Sequence, residues 1–343
     1  MEYRLLGASG LEVSVLSFGT MTLGGEGRFA AMGNVQVEEA RRHIEICMEA
    51  GVNLFDTADI YSFGKSEEVL GQALGAHRKE IVLATKVFVR LGPGVNKVGL
   101  SRRYIMEACE ASLRRLGTDY IDLYQAHNFD SLTPLDETLR AFEDLIRDGK
   151  IRYAGCSNYS GWQLMKALSI ADRLGIARYI SQQINYSLLA REAELELVPL
   201  ALDQRTGIMV WSPLQGGLLS GKFRRGEAKP SVSRVNTLGV SGTFDEERTF
   251  RIVDTLAEIA SQRGVSVSQV ALNWVMRKPA VDTVIIGARD EQQLRDNLAA
   301  ASWSLTDAEV EHLDKVSVLP LPYPYWHQYK FGGERNPPLK HVR

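Results

Sequence analysis

The stretch Asn53-Leu54-Phe55-Asp56-Thr57-Ala58-Asp59-Ile60-Tyr61 sets a carboxylate, Asp56, five residues ahead of a phenol, Tyr61. A phenol with an ordinary pKa of about 10 exchanges protons poorly at neutral pH unless something tunes it. A nearby ammonium favours the phenolate, and Lys86 closes the run Ala84-Thr85-Lys86. His127 closes a further run, Leu123-Tyr124-Gln125-Ala126-His127, and offers a second donor. Ser157 and Asn158, then Gln183, then Trp211-Ser212-Pro213-Leu214, then Gly287 end four more apolar runs. Singly, each has a plainer explanation: a lysine after a strand is solvated, and a lone histidine satisfies a local hydrogen bond. Hydrophobic patterning does not require an acid, a lysine and a histidine at equivalent places, so the set carries the argument.

Regular elements must position these groups. Tyr3 to Leu6 and Leu11 to Leu16 flank Gly7-Ala8-Ser9-Gly10 and read as a hairpin. Apolar residues then recur at helical spacing from Val37 to Ala50. Short apolar runs alternate with amphipathic stretches from there on. The strands expected are Val52–Phe55, Ile81–Thr85, Tyr120–Ala126, Ile151–Cys156, Tyr179–Ile184, Ile208–Trp211, Val281–Ile286 and, more weakly patterned, Ala300–Leu305. Helices are expected over Ser66–Leu74, Arg102–Leu116, Pro134–Asp148, Gly161–Leu174, Glu192–Gln204 and Arg248–Arg263. The strands are apolar throughout, as when both faces are covered. About eight βα units without a linker favour an α/β fold, one closed (β/α)8 TIM barrel over residues 1–343, in preference to a doubly wound sheet. Two segments break the rhythm. Gly216 to Thr243 is a long, basic, Gly- and Ser-rich loop of the kind that forms lids. The Pro- and aromatic-rich tail beyond Leu319 needs apolar cover and is expected to pack back near the site.

Bulk properties narrow the function. The chain has 343 residues, 45% of them apolar and 24% charged. No apolar run approaches the ~20 residues of a membrane span, and the Met-Glu-Tyr-Arg start has no apolar signal core, so no export is expected. A formal charge of -2 argues against nucleic acid or a membrane surface as the main partner. Cys47, Cys109 and Cys156 show neither disulfide nor metal spacing, which suits reduced thiols in a cytoplasmic protein.

In order, the motifs resemble the aldo-keto reductase superfamily. They are Phe55-Asp56-Thr57-Ala58 with Tyr61, Gly64-Lys65-Ser66-Glu67, Leu70-Gly71, Thr85-Lys86, Asp122-Leu123-Tyr124 with His127, and Gly155-Cys156-Ser157-Asn158-Tyr159. Gln183 with Tyr186-Ser187, Trp211-Ser212-Pro213-Leu214 and Ile286-Gly287-Ala288 complete them, so the likeness runs from about Tyr3 to Leu313. Trp211-Ser212-Pro213-Leu214 and Pro324-Tyr325-Trp326 look most like the branch holding bacterial general reductases and potassium-channel β-subunits.

The resemblance implies reduction of a small carbonyl by a nicotinamide cofactor, without a metal. Asp56, Tyr61, Lys86 and His127 are the catalytic residues carried over. Thr20 and Met21 would lie at the ribose side, while Ser157, Asn158 and Gln183 would hold the carboxamide, near Asp56. Trp211 would stack on the nicotinamide. Ser212, Pro213, Leu214 and Gly216 with Lys222 and Arg234 would embrace the pyrophosphate and ribose, and Gly287, Arg289, Gln293 and Asn297 the adenosine end. Three cations (Lys222, Arg234, Arg289) suit a 2′-phosphate and favour NADPH over NADH. Tyr61, Phe88, His127, Phe129 and Trp326 would wall the substrate pocket, which suits a small aldehyde, ketoaldehyde or aromatic carbonyl. A homo-oligomer is left open. The alternative is an NADPH-holding sensor subunit; the channel β-subunits tend to carry Asn where His127 stands here, which leans toward an enzyme. A Schiff-base aldolase through Lys86 is a third, remote reading. Gly216-x-x-x-x-Gly221-Lys222 nearly spells a P-loop, but Phe223 stands where Ser or Thr would hold magnesium. No Gly-x-Gly-x-x-Gly follows a strand, which disfavours a Rossmann dehydrogenase.

Overall fold

The structure is a computed structural model that describes residues 1–226 and 245–332. An antiparallel hairpin, β1 (Tyr3–Leu5) and β2 (Glu12–Ser14), precedes a closed barrel of eight parallel strands. These are β3 (Leu16–Gly19), β4 (Leu54–Asp56), β5 (Val82–Val87), β6 (Ile121–Ala126), β7 (Ile151–Ser157), β8 (Ser181–Asn185), β9 (Gly207–Trp211) and β10 (Val281–Ile286). β10 pairs with both β9 and β3 and so closes the ring. Around it lie α1 (Val37–Glu49), α2 (Lys65–Leu74), α3 (Arg102–Leu116), α4 (Leu135–Arg147), α5 (Gly161–Leu174) and α6 (Leu197–Gln204). The second half adds α7 (Glu246–Arg263), α8 (Val267–Met276), α9 (Glu291–Ala299), α10 (Asp307–Ser317) and a terminal α11 (Tyr325–Gly332). Among the described residues no helix is long and apolar enough to cross a membrane.

One strand differs from the sequence reading. Ala300–Leu305 forms a 3-10 turn, Ala300–Ser302, followed by a linker into α10. The remaining barrel strand is Leu16–Gly19, which leaves the hairpin and pairs with β10 and β4. Its apolar signal is short because its inward positions are Ser17 and Gly19, so it merges with the hairpin's return strand. A Cβ on Gly19 would come within 2.6 Å of the Ile285 side chain, which explains the small residue there.

Alternation along the strands divides the barrel interior into two ends. Leu54, Val82, Ala84, Leu123, Met209 and Ile285 fill the amino-terminal end together with Leu6 and Val13 of the hairpin. Each of the larger buried side chains, Ala84 aside, contributes about 1.5–3 kcal/mol. The hairpin turn seals this floor: Gly7 has φ +60°, and a Cβ there would lie 2.4 Å from the Ile180 carbonyl oxygen. Gly7 N–H also donates to Asp282 Oδ2 at 2.8 Å. Two residues further along the same inward rows, the side chains turn polar: Asp56 above Leu54, Lys86 above Ala84, Gln125 above Leu123.

The tail takes a different course from the one expected. Tyr323 is 75% and Trp326 46% exposed, and α11 has no buried residue. The rings cover one another, Tyr323 with Trp326 and His327 with Phe331, so they need less of the barrel. Tyr325 ties the helix to the loop side by donating to Glu196, just ahead of α6, at 2.7 Å.

Candidate active site

The turn after β4 is stitched to its neighbours by backbone groups. Thr20 N–H donates to the Asp56 carbonyl at 2.9 Å, Thr57 N–H to Ala84 at 2.9 Å, and Asp59 N–H to Lys86 at 3.2 Å. Ser66, at the start of α2, donates to the Thr20 carbonyl at 2.9 Å and meets the Thr20 and Thr57 hydroxyls. Beyond Tyr61 the chain turns through left-handed backbone at Ser62 (φ 48°), Phe63 (φ 53°) and Gly64 (φ 96°). Two of these are non-glycine residues in a disfavoured region, so the surroundings must hold them. Ser62 Oγ does so by donating to the Leu23 carbonyl at 2.8 Å.

Within this frame Lys86, fully buried, donates from Nζ to Asp56 Oδ2 at 2.5 Å and to the Thr57 carbonyl at 2.7 Å. Its ammonium lies 5.2 Å from the centroid of the Tyr61 ring, and the ring of His127 stands 6.0 Å from that of Tyr61. Asp56 Oδ1, turned away from Lys86, accepts from Gln183 Nε2 at 2.9 Å and Gln125 Nε2 at 3.2 Å. The four residues singled out for catalysis thus come together: hydrogen bonds direct Asp56 and Lys86, and ring contacts set Tyr61 and His127 beside them.

The electrostatics differ in one respect from the expectation that Lys86 lowers the pKa of Tyr61. Burial pushes the phenol up; the Lys86 charge pulls it down, more strongly than Asp56 pushes it up, and the balance is a raised pKa. For Lys86 burial pulls down, but Asp56 and Tyr61 outweigh it and hold the ammonium above its ordinary value. His127 is pushed down to about 3, by burial first and the Lys86 charge second, so its imidazole is neutral at physiological pH. A second carboxyl, Asp59, is 1% exposed, and among the described residues neither of its oxygens has a hydrogen-bond partner. Burial, reinforced by Glu67, holds its pKa well above the usual carboxylate range.

Residues matched to the cofactor line the rim from β7 to β10. Trp211 Nε1 donates to Asn158 Oδ1 at 3.1 Å, Asn158 Nδ2 to the His127 carbonyl at 3.0 Å, and Ser157 Oγ to the Gln183 carbonyl at 2.9 Å. Asn158, Ser212 and Gln215 are non-glycine residues at positive φ, and Gly216 and Gly217 continue the left-handed backbone after β9. Successive conformations of this kind turn amide groups outward into a concavity suited to anions. Pro213 is buried and Leu214 packs on the core. Gln293 Oε1 accepts from Arg289 N–H and Asn297 Nδ2 donates to Gly287, which gathers those residues where β10 meets α9. Lys222 and Arg289 are exposed on loops after adjacent strands. Arg234 lies outside the described residues. Thr20 is buried with its hydroxyl on Ser66, whereas Met21 belongs to the cluster around Tyr61. The polar rim and the turned-out backbone fit a nicotinamide dinucleotide.

The pocket residues are spread more widely. Phe88 is half-buried against the core, and Phe129 stacks edge-on against Tyr159 and Trp162. Trp326 makes its ring contacts with Tyr323 and His327. Sequence reasoning missed Phe29, which packs 6.0 Å from the Tyr61 ring out of the Gly24–Asn34 loop. It also missed Gln125 and Asp59. Phe29 sits in a stretch without periodicity and carried no signal. Gln125 had one: a polar residue on the inward row of an otherwise apolar strand.

A parallel (β/α)8 barrel whose carboxyl-terminal rim gathers Asp56, Tyr61, Lys86 and His127 beside a dinucleotide-suited surface defines a class of oxidoreductase. Residues 15–318 match the model of the aldo/keto reductase family, and the chain belongs to that family. It is 40% identical over 308 residues to a probable voltage-gated potassium channel subunit beta of Arabidopsis thaliana, covering 88% of this chain and 91% of that one. An uncharacterized oxidoreductase of Bacillus subtilis is 38% identical over 323 residues, covering 90% and 94%. The versiconal hemiacetal acetate reductase of Aspergillus parasiticus is 36% identical over 343 residues, covering 93% and 97%.

Proposed function

We propose that this protein reduces an aldehyde or ketone to the alcohol at the expense of NADPH, with Tyr61 as the proton donor. The observation that carries the reading is the buried Lys86–Asp56 pair, 2.5 Å apart, with its ammonium against the Tyr61 ring. When bound, NADPH supplies the hydride that reaches the carbonyl carbon. The carbonyl oxygen then needs a proton, and a phenol of raised pKa still carries one at neutral pH. Lys86 stabilises the phenolate that Tyr61 becomes, and Asp56 keeps that lysine charged and in place. His127, neutral, offers an N–H to orient the carbonyl oxygen.

Ser157, Asn158 and Gln183 would hold the carboxamide and Trp211 would stack on the ring. The left-handed segment after β9 would take the phosphates, in keeping with the phosphate sites that barrels build after their last two strands. Lys222 and Arg289 favour NADPH over NADH; comparable dissociation constants for the two would refute this preference. The deciding experiment follows NADPH absorbance with a panel of aldehydes, small ketones and aromatic carbonyls, with Tyr61→Phe alongside. A second reading, an NADPH-holding regulatory subunit, is favoured by the likeness to potassium channel β-subunits. Tight NADPH binding with no turnover on the whole panel would select it.

A further inference from the structure

We infer that Gln125 is a positioning residue that aims both the carboxylate of Asp56 and the amide of Gln183; this rests on the proposed reductase reading. An ionised carboxylate can only accept hydrogen bonds, so any amide facing it presents its nitrogen. Gln125 and Gln183 both face Asp56 Oδ1, at 3.2 Å and 2.9 Å, which fixes the orientation of both amides. The second hydrogen of Gln183 Nε2 points to Gln125 Oε1, 3.4 Å away. The nitrogen of Gln183 is thereby fully used, and its oxygen is left as the acceptor for a bound carboxamide. Gln125 therefore does two jobs. It holds Asp56 so that Oδ2 meets Lys86, and it backs up the orientation that Asp56 gives Gln183 by taking the second hydrogen of Nε2.

The sequence makes room for this residue. Gln125 is fully buried on the inward row of β6, and its neighbour in register on β7 is Gly155. A Cβ on Gly155 would crowd Ser181 Oγ at 2.9 Å and Gln125 Cγ at 3.3 Å. Lys86 is the neighbour in register on β5. The charged groups placed against position 125 are Asp56 from the β4 turn and Lys86 from β5, and His127 follows two residues further along the chain. Gly155 and Ser157 on β7 and Gln183 on β8 carry no charge.

Two substitutions separate positioning from packing. Gln125→Leu keeps the bulk and loses both bonds, so kcat should fall about tenfold at every pH while the NADPH dissociation constant moves less than threefold. Gln125→Glu places a second carboxyl beside Asp56. At acidic pH the shared proton reproduces the N–H donor; at alkaline pH two like charges meet. This variant should approach wild-type kcat near pH 5.5 and lose it progressively toward pH 8.5. Its melting temperature, read without substrate or cofactor, should fall over the same interval relative to wild type. Equal, pH-independent losses in both variants, or wild-type behaviour in both, would overturn the inference. A wild type that reduces no carbonyl removes the reductase reading instead, and the pH-dependent melting of Gln125→Glu then decides alone whether Gln125 holds Asp56.

Discussion

The two ends of the barrel are built from the same strands and do opposite things with them. At the amino-terminal end Leu54, Ala84, Leu123 and Met209 interdigitate with Leu6 and Val13 from the hairpin. Two residues on, the same inward rows carry Asp56, Lys86, Gln125 and Trp211. The floor is an apolar plug whose worth lies in area removed from water and close packing. The rim buries an ammonium and a carboxylate at 0% and 3% side-chain exposure and satisfies the pair with further hydrogen bonds. Such a pair is weak as a source of stability but costly to break. The difference is that one end is placed by shape and the other by directed bonds, so substitutions should separate stability from chemistry.

The largest effect expected is at the rim. Tyr61→Phe removes the proposed proton donor and little else, so the rate of NADPH oxidation should drop on the order of a thousandfold. NADPH titrated by fluorescence should bind this variant as it binds wild type, and near-normal turnover would sink the assignment. Lys86→Met leaves Asp56 as a buried charge without its cation. We expect a loss of about 3–5 kcal/mol in denaturant unfolding, together with the loss of activity. At the floor, Leu54→Ala should cost about 2–5 kcal/mol through the cavity it leaves, with kcat changed less than twofold. If kcat fell with stability there, the two ends would not be separable.

Smaller effects lie in the pH dependence, with opposite signs at the two ends. His127, held down to about 3, stays neutral in the folded protein while the unfolded chain takes up a proton below about 6.5. Between those values the unfolded state binds more protons, so stability falls as pH falls. His127→Asn should flatten the acid side of a melting-temperature profile. Part of the slope should remain, because His43 is also lowered by burial. Asp282, at the floor, is pushed up by burial from 3.8 to about 6. Here the folded state holds the extra proton, so this stabilisation is present below about 3.8 and is lost as pH rises through about 6. Asp282→Asn keeps an oxygen for the Gly7 N–H and carries no charge. It should raise the melting temperature at pH 7.5 and leave it unchanged at pH 4.

Seven of the eight barrel strands were legible because each is a short run rich in apolar residues set between helical stretches. The exception, Leu16–Gly19, has two small inward residues and so no periodic signal of its own. The proposed catalytic group was legible for a related reason. Asp56, Lys86 and His127 each stand at or just past the carboxyl end of a strand, and strand ends converge in a barrel however far apart they lie in the chain. Phe29 was not legible, since its loop has no period and only its fold over Ala58 and Ile60 brings it to Tyr61. The exposed tail rings were misjudged because composition shows that aromatic rings need partners, but not that they will choose one another.

Periodicity and strand-end position are local properties, so seven of the barrel strands and the residue types near their ends could be read directly from the chain. How those residues act on each other was set by the three-dimensional arrangement. It turned Lys86 toward Asp56 and against Tyr61, let burial outweigh Lys86 in setting the phenol, and brought Gln125 and Gln183 onto one carboxylate oxygen. Those outcomes depend on distances between strands far apart in the chain and on the loss of water around them, and neither is written in any single segment.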